Sequence, residues 1–426
     1  MKYKHYISVL FASAFATSVF AVVTDIDTVI THESDITLNA GDTWNIIPGG
    51  QVILRAGWGG SPTYTINGNI TNSSATEFLI INSRESGGSL TTVNFNNSSV
   101  TSTANATLAW GKDGGNSVAI NLINTTIAST SGTLNFEIGR NNNTLLNIDS
   151  TSSMSGNSLT MATRPGDFVR VININGGSIN LTGNVDIARD GSIGGNGGSG
   201  EINVLAGGSL TASSLNLNPY QGSATRASQA TVLVQGVGSS LTVNSNLNLG
   251  LTAITNADDS GTLTLHTGTT TTVANEARIN NYGTLKVVLD SSSLTNDDTS
   301  VLFTTKDSFF YNNGTSDPIV IDGELLTTMG TDVTIALFKF TANEGNVKLN
   351  DVRTVFGDLQ SSLEDFITFD HNTGNQYWED FGYGNLTFAN NTIYLTLTAI
   401  PEPSTYAAIF GALALALAFV LYRRKR

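Results

Sequence analysis

The chain has 426 residues, of which only 13 % are charged and 40 % hydrophobic, with 43 glycines, four histidines and no cysteine. Typical soluble domains carry about 25 % charged residues; here Ser, Thr, Asn and Gly fill that share beside a retained apolar fraction, which reads as an all-β chain and not as a disordered one. The missing cysteines exclude thiol nucleophiles, thiolate metal sites and disulfide scaffolds, and a formal charge of −14 repels phosphate backbones, so no nucleic acid is expected as partner.

Residues 1–21 read MKYKHYISVLFASAFATSVFA: Lys2, Lys4 and His5, an uncharged run from Ile7 to Phe20, and small Ala21. This order predicts a secretory signal peptide cut between Ala21 and Val22, which implies signal peptidase and the secretion machinery as partners. The acidity of the body is greater than the whole-chain charge suggests. Without 1–21 and 401–426, the remaining 14 basic and 33 acidic residues give a net charge of −19. Residues 22–62 are expected to cap the N-terminal end of this body.

From about residue 63 short alternating triplets recur. They are Val93-Asn94-Phe95, Ile120-Asn121-Leu122, Leu146-Asn147-Ile148, Ile172-Asn173-Ile174, Ile202-Asn203-Val204, Val232-Leu233-Val234, Leu263-Thr264-Leu265 and Leu285-Lys286-Val287. Successive spacings are 27, 26, 26, 30, 30, 31 and 22 residues. Each triplet is followed by a small-residue turn and further alternating segments, such as GGSINLTG at 176–183 and NVDIA at 184–188. Three short strands per unit, joined by Gly, Asn and Ser turns, fit one coil of a parallel β-helix. The alternation predicts that Phe95, Ile172, Ile174, Ile202, Val204 and Leu265 point inward while Asn, Ser and Thr point out. An array of β-sandwiches also alternates, but it does not repeat a three-strand unit at this period. The solenoid is therefore assigned to 63–300, with roughly eight to ten coils between 63 and 290 and insertions leaving at corners, as at 189–201. At the level of pattern this body resembles the β-solenoid repeats of secreted bacterial adhesins and autotransporter passengers.

Chemistry-bearing motifs within the body are sparse. Gly195, Gly197 and Gly200 match G-x-G-x-x-G, but the strand-like EINVL after them is not the helix a dinucleotide site needs, so a loop is expected. Arg164, Asp167, Arg170, Asp186, Arg189 and Asp190 form the one basic–acidic concentration in the repeats, the place where a β-helix polysaccharide lyase or hydrolase would converge its groups. Arg164-Pro165-Gly166-Asp167 and Arg189-Asp190-Gly191 read instead as turns, where Asp shapes the corner and Arg faces water. Asp258-Asp259 and Asp297-Asp298 offer too few oxygens for calcium, and His371 has no partner at metal spacing. No metal and no cofactor are expected.

After about residue 300 the repeat fades and aromatics rise, from Phe303 to Phe388. A solenoid end leaves an open core and unpaired edges, so 301–398 is expected to form a β-rich cap. Within it, 352–366 reads as a short helix and 385–400 as a hairpin.

The C-terminal segment 399–426 has three parts: Pro401, Glu402, Pro403, Ser404 and Thr405; an uncharged stretch over 406–422; and Arg423, Arg424, Lys425 and Arg426. The middle part is expected to be a single transmembrane helix, with the basic cluster on the cytoplasmic side. In this order the three parts resemble the PEP-CTERM sorting signal of exported proteins of Gram-negative bacteria. That resemblance implies exosortase, a membrane-embedded transpeptidase-like enzyme, as partner, with cleavage near Pro401-Glu402-Pro403. It also implies an inner-membrane precursor and a mature form at the cell surface, in the outer envelope or in the extracellular matrix. The function expected of the whole is that of a structural or adhesin-like surface protein, associated with exopolysaccharide or other surface polymers. The alternative is a secreted β-helix polysaccharide lyase or glycoside hydrolase.

Overall fold

The computed structural model describes residues 21–397, except 58–59, 75–76, 83–88, 113–115, 162–167, 189–197, 218–227, 251–259, 281, 295–300, 311–317, 327–331, 342–346, 350–351, 355–366 and 371–384, together with 409–415. The chain winds into a parallel β-solenoid whose coils carry three strands each. Face A is a twelve-stranded parallel sheet running from Ile36–Leu38 to Ile367–Asp370. Faces B and C come next in each coil, as in Ser209–Ala212 and Leu215–Leu217, and each pairs with its counterpart one coil away. At about 4.8 Å per coil, twelve strands of one face give a rod on the order of 50 Å long.

The register follows the triplets. Phe95 lies over Leu122, Leu122 over Ile148, Ile148 over Ile174, Ile174 over Val204, Val204 over Val234 and Val234 over Leu265. All of these side chains are buried in one continuous core, and the six residues expected inward are all fully buried. Period-2 alternation leaves the odd set no other place once one side of the sheet is closed. The middle residue of each triplet is then forced outward, where five asparagines stack. Asn121, Asn147, Asn173 and Asn203 each donate Nδ2 to Oδ1 of the asparagine one coil earlier, at 2.8, 2.9, 3.0 and 3.0 Å.

The ladders extend beyond the repeat on both sides. Val23–Ile26 pairs with Thr43–Ile46, which pairs with Asn69–Asn72, so the strands of the expected N-terminal cap stack in register with the first repeats. Past residue 300, Val301–Phe310 and Val333–Phe340 continue the parallel pairing although Asn, Ser and Thr have given way to aromatics. Backbone ladders need only extended chain and register, so the pairing outlives the side-chain pattern.

Three local expectations change. Ser199–Leu205 is a strand, so the corner loop expected at 189–201 ends before Ser199, and Gly200 is a buried strand residue against Met161 and Ile187. Within 352–366, expected to be helical, Val352–Thr354 is a strand antiparallel to Val347–Leu349; the rest lies outside the described residues. Of the expected transmembrane helix over 406–422, the described part, 409–415, is helical, and among the described residues no helix is long and apolar enough to cross a membrane.

The hairpin is present. Asn385–Ala389 and Thr392–Leu397 pair antiparallel through Asn390 and Asn391, whose φ values of 51° and 58° suit a tight turn with two left-handed residues. Thr392–Leu397 then runs antiparallel along Val333–Phe340 and covers the last parallel edge of face B.

Candidate functional site

Stacking of coils lays like residues in columns along the rod. On the outer side of face B one column carries Thr71, Thr101, Ala128, then Ser155, Asn180, Thr211, Thr242 and Thr272. Beside it runs a second column of Ser99, Thr126, Ser153, Ser178, Ser209, Ser240 and Thr270. Short strands such as SINL and SLTA produce this surface because their apolar residues are spent inward and only small polar ones remain outside.

Where face B turns into face C, this surface deepens into an open groove of about 500 Å³ that crosses five coils, from Ser129 to Asn244. Its floor includes Ser155, Asn180 and Thr211, one coil apart. One wall is the corner at Gly132, Thr133 and Leu134, and the other polar groups are Asn157, Thr182 and Asn244. The corner is held rigidly: Asn105 Oδ1 accepts bonds from the Thr133 backbone and hydroxyl at 2.8 and 3.0 Å, and Asn157 donates to Asn135 Oδ1 at 2.9 Å. No lining residue carries a charge. The groove therefore has hydroxyl and amide groups for binding and no group suited to general acid–base chemistry.

Of the basic and acidic residues singled out from the sequence, the two that are described, Arg170 and Asp186, are not brought together. Arg164, Asp167, Arg189 and Asp190 lie outside the described residues, as do Gly195, Gly197, Asp258, Asp259, Asp297, Asp298 and His371. The remaining pair sits on different faces. Asp186 is on the outside of face C and accepts from Asn216 Nδ2 at 2.6 Å; Asn248 donates in turn to Asn216 at 2.7 Å. Arg170 is turned inward at the start of its face A strand and is 1 % exposed. Its stem packs against Gly139, where a Cβ would come within 2.7 Å of Arg170 Cγ, and its guanidinium lies 5.2 Å from the Phe168 ring and donates to the Ser199 carbonyl at 3.2 Å. Burial lowers its pKa to about 10, so it stays charged at neutral pH. It plugs a corner and is not presented to a substrate.

One group of titratable residues was not visible in the sequence. His266, Val288 and Asp322 stack in successive coils, and Lys286 Nζ lies 2.6 Å from Asp322 Oδ2. His266 is 8 % exposed; burial lowers its pKa, while Asp290 and Asp322 pull it up and Lys286 opposes them. These residues are up to 56 positions apart, and only the stacking of three coils brings them together. Among the described residues no three His, Asp or Glu side chains converge as metal ligands.

Of the sorting and processing residues, Ala21 and Val22 are described and exposed. Pro401, Glu402, Pro403, Ser404, Thr405, Arg423, Arg424, Lys425 and Arg426 lie outside the described residues, as does the rest of the expected signal peptide. Compared with protein-family models, with curated proteins and with solved structures, the chain matches none.

Proposed function

We propose that the chain is an exported, non-enzymatic rod, displayed at the cell surface or in the extracellular matrix, that holds an uncharged extended polymer such as an exopolysaccharide along its B–C groove. The observation that carries this reading is the groove itself. Among the described residues, Asn180 and Thr211 form no side-chain hydrogen bond, yet they line the groove one coil apart. Groups that are free, polar and repeated at a fixed rise suit a ligand that is itself a repeat, because each further unit engages at high effective concentration. The absence of charge in the groove selects against phosphorylated or strongly anionic chains.

Export and sorting rest on the two ends of the sequence. The signal peptide takes the chain across the inner membrane; the apolar stretch at 406–422 and the basic cluster halt it there, with Pro401-Glu402-Pro403 open to an exosortase. Proline disfavours helix at its own position and the one before it, so an extended form, the one a peptidase accepts, is expected of this segment.

The test uses the purified exported protein on a glycan array beside a reducing-sugar release assay. Neutral polysaccharide is expected to bind without release of sugar. The double variant Asn180→Ala, Thr211→Ala is expected to weaken binding roughly five- to hundredfold, as the loss of two modest hydrogen bonds per contact predicts. Unchanged binding in that variant overturns the groove as the site. Sugar release overturns the non-enzymatic reading.

A further inference from the structure

The first described residues make a contact that changes its chemistry when the signal peptide is removed. The Val22 nitrogen donates to Asp42 Oδ1 at 2.9 Å, and the Val22 carbonyl accepts from the Thr43 backbone at 2.8 Å, so both ends of this residue are tied to the next coil. Asp42 is itself fixed. Its backbone nitrogen donates to the Asn39 carbonyl at 3.1 Å, its carbonyl accepts from the Asn69 backbone at 2.8 Å, and Asn39 Nδ2 donates to Oδ2 at 3.3 Å. Among the described residues no side-chain cation bonds this carboxylate. Val22 is 56 % exposed, and it precedes Val23–Ile26, which among the described residues is the outermost strand of face B with a ladder partner on one side only.

We propose that cleavage after Ala21 turns the Val22 nitrogen into an α-ammonium that pairs with the Asp42 carboxylate, so that maturation itself fastens the open end of the solenoid. This inference rests on the reading of 1–21 as a signal peptide. Signal peptidase adds water across the Ala21–Val22 amide: Ala21 leaves with the new carboxylate, and Val22 keeps the nitrogen as a protonated amine. In the precursor the contact is one amide hydrogen bond to a carboxylate. In the mature chain it is a bond between two full charges, a shorter and stronger class of contact. The site is built for this exchange because the nitrogen that becomes charged already points at the carboxylate, and the exposed backbone leaves room for the two additional protons. The outermost strand of a ladder frays most readily, so a bond placed there acts where the solenoid is weakest.

The experiment begins with the N-terminal sequence of the exported protein, determined by mass spectrometry. Competitive acylation of the α-amine across pH comes next, in wild type, Asp42→Asn and Asp27→Asn. The last variant removes the same charge from the same end without touching the contact. A free α-amine titrates near 7.7–8.0, and a carboxylate partner raises that value. Wild type and Asp27→Asn are expected to start at Val22 and to label several-fold more slowly at neutral pH than Asp42→Asn. Hydrogen exchange over 23–26 is expected to be faster in Asp42→Asn alone. A chain that starts at another residue overturns the cleavage reading and the pair with it. A chain that starts at Val22 but labels at one rate in wild type and Asp42→Asn overturns the pair and leaves the cleavage reading standing.

Discussion

At the scale of single residues, the asparagine ladder on face A shows what a repeated polar side chain contributes. Each amide donates to the coil before it, so the chain of bonds is polarised in one direction and each bond strengthens the next. The ladder stops where Leu233 follows Asn203, and there Asn203 Oδ1 is buried without a hydrogen-bond partner. Leu233→Asn is expected to supply the missing donor and raise stability by about 1 kcal/mol, whereas Asn147→Ala, which breaks two bonds, is expected to cost roughly 1–3 kcal/mol. Thermal melts of the two variants check both signs, and a Leu233→Asn protein that melts below wild type refutes the account. Tyr64 is a second such residue. It is fully buried, and its hydroxyl lies 2.7 Å from the His32 carbonyl and 2.8 Å from that of Arg55. Burial is the main force pushing its pKa up to about 12, with Glu33 and Asp35 adding to it. A folded value above the unfolded one of about 10 means that the neutral phenol stabilises the fold below pH 10, and that this contribution fades between about pH 10 and 12. Tyr64→Phe is therefore expected to be about 1–2 kcal/mol less stable at neutral pH. The gap should narrow in denaturant melts near pH 11.

Strands and turns decide where the solenoid starts, bends and ends. Thr270–Ile279 runs through the B–C corner without a break and pairs with both Ser240–Val243 and Leu247–Leu249. The short spacing of 22 residues between Leu263 and Leu285 arises at the next corner: only four positions separate Ile279 from Gly283, against twelve between their counterparts Leu249 and Gly261 one coil earlier. The closing hairpin depends on Asn390 and Asn391, both left-handed. Alanine at either position is expected to cost about 1–2 kcal/mol, since a Cβ without a local polar partner resists that backbone. Glycine at the same position should restore stability. If the hairpin covers the edge of Val333–Phe340 as its pairing indicates, the Asn390→Ala, Asn391→Ala double variant is also expected to aggregate more readily, through the uncovered strand. Light scattering during mild heating distinguishes this from a simple loss of stability.

The whole molecule combines an acidic body, with a net charge of −19 over 22–400, and a cationic tail of four residues. Moving four cations through hydrocarbon is prohibitive, so the tail is expected to remain in the cytoplasm while the body is exported. Replacing Pro401-Glu402-Pro403 by alanines, or deleting Arg423 to Arg426, is expected to leave full-length precursor in the inner membrane. The unaltered chain should lose its tail and reach the surface or the medium. Fractionation with intact-mass measurement reads this directly, and equal surface delivery of the variants shows that the tail is only an anchor.

The sequence by itself determined the fold class and the inward-facing set. Ile172, Ile174, Ile202 and Val204 sit on a strict two-residue alternation, and a sheet with one closed side admits that alternation in only one register. The closing hairpin was equally legible, because a pair of asparagines between two alternating runs is a local signal. Tertiary structure alone decided what the coils bring together. Arg170 reads from the sequence only as part of a basic–acidic set, yet its position at the inward phase of a strand, opposite Gly139, buries it. The groove over Ser155, Asn180 and Thr211, and the alignment of His266 with Asp322 two coils away, arise from residues about 25 to 56 positions apart. Parallel stacking converts such separations into one or two rises of about 4.8 Å, and corner loops of variable length hide the register that does so from any fixed period in the chain.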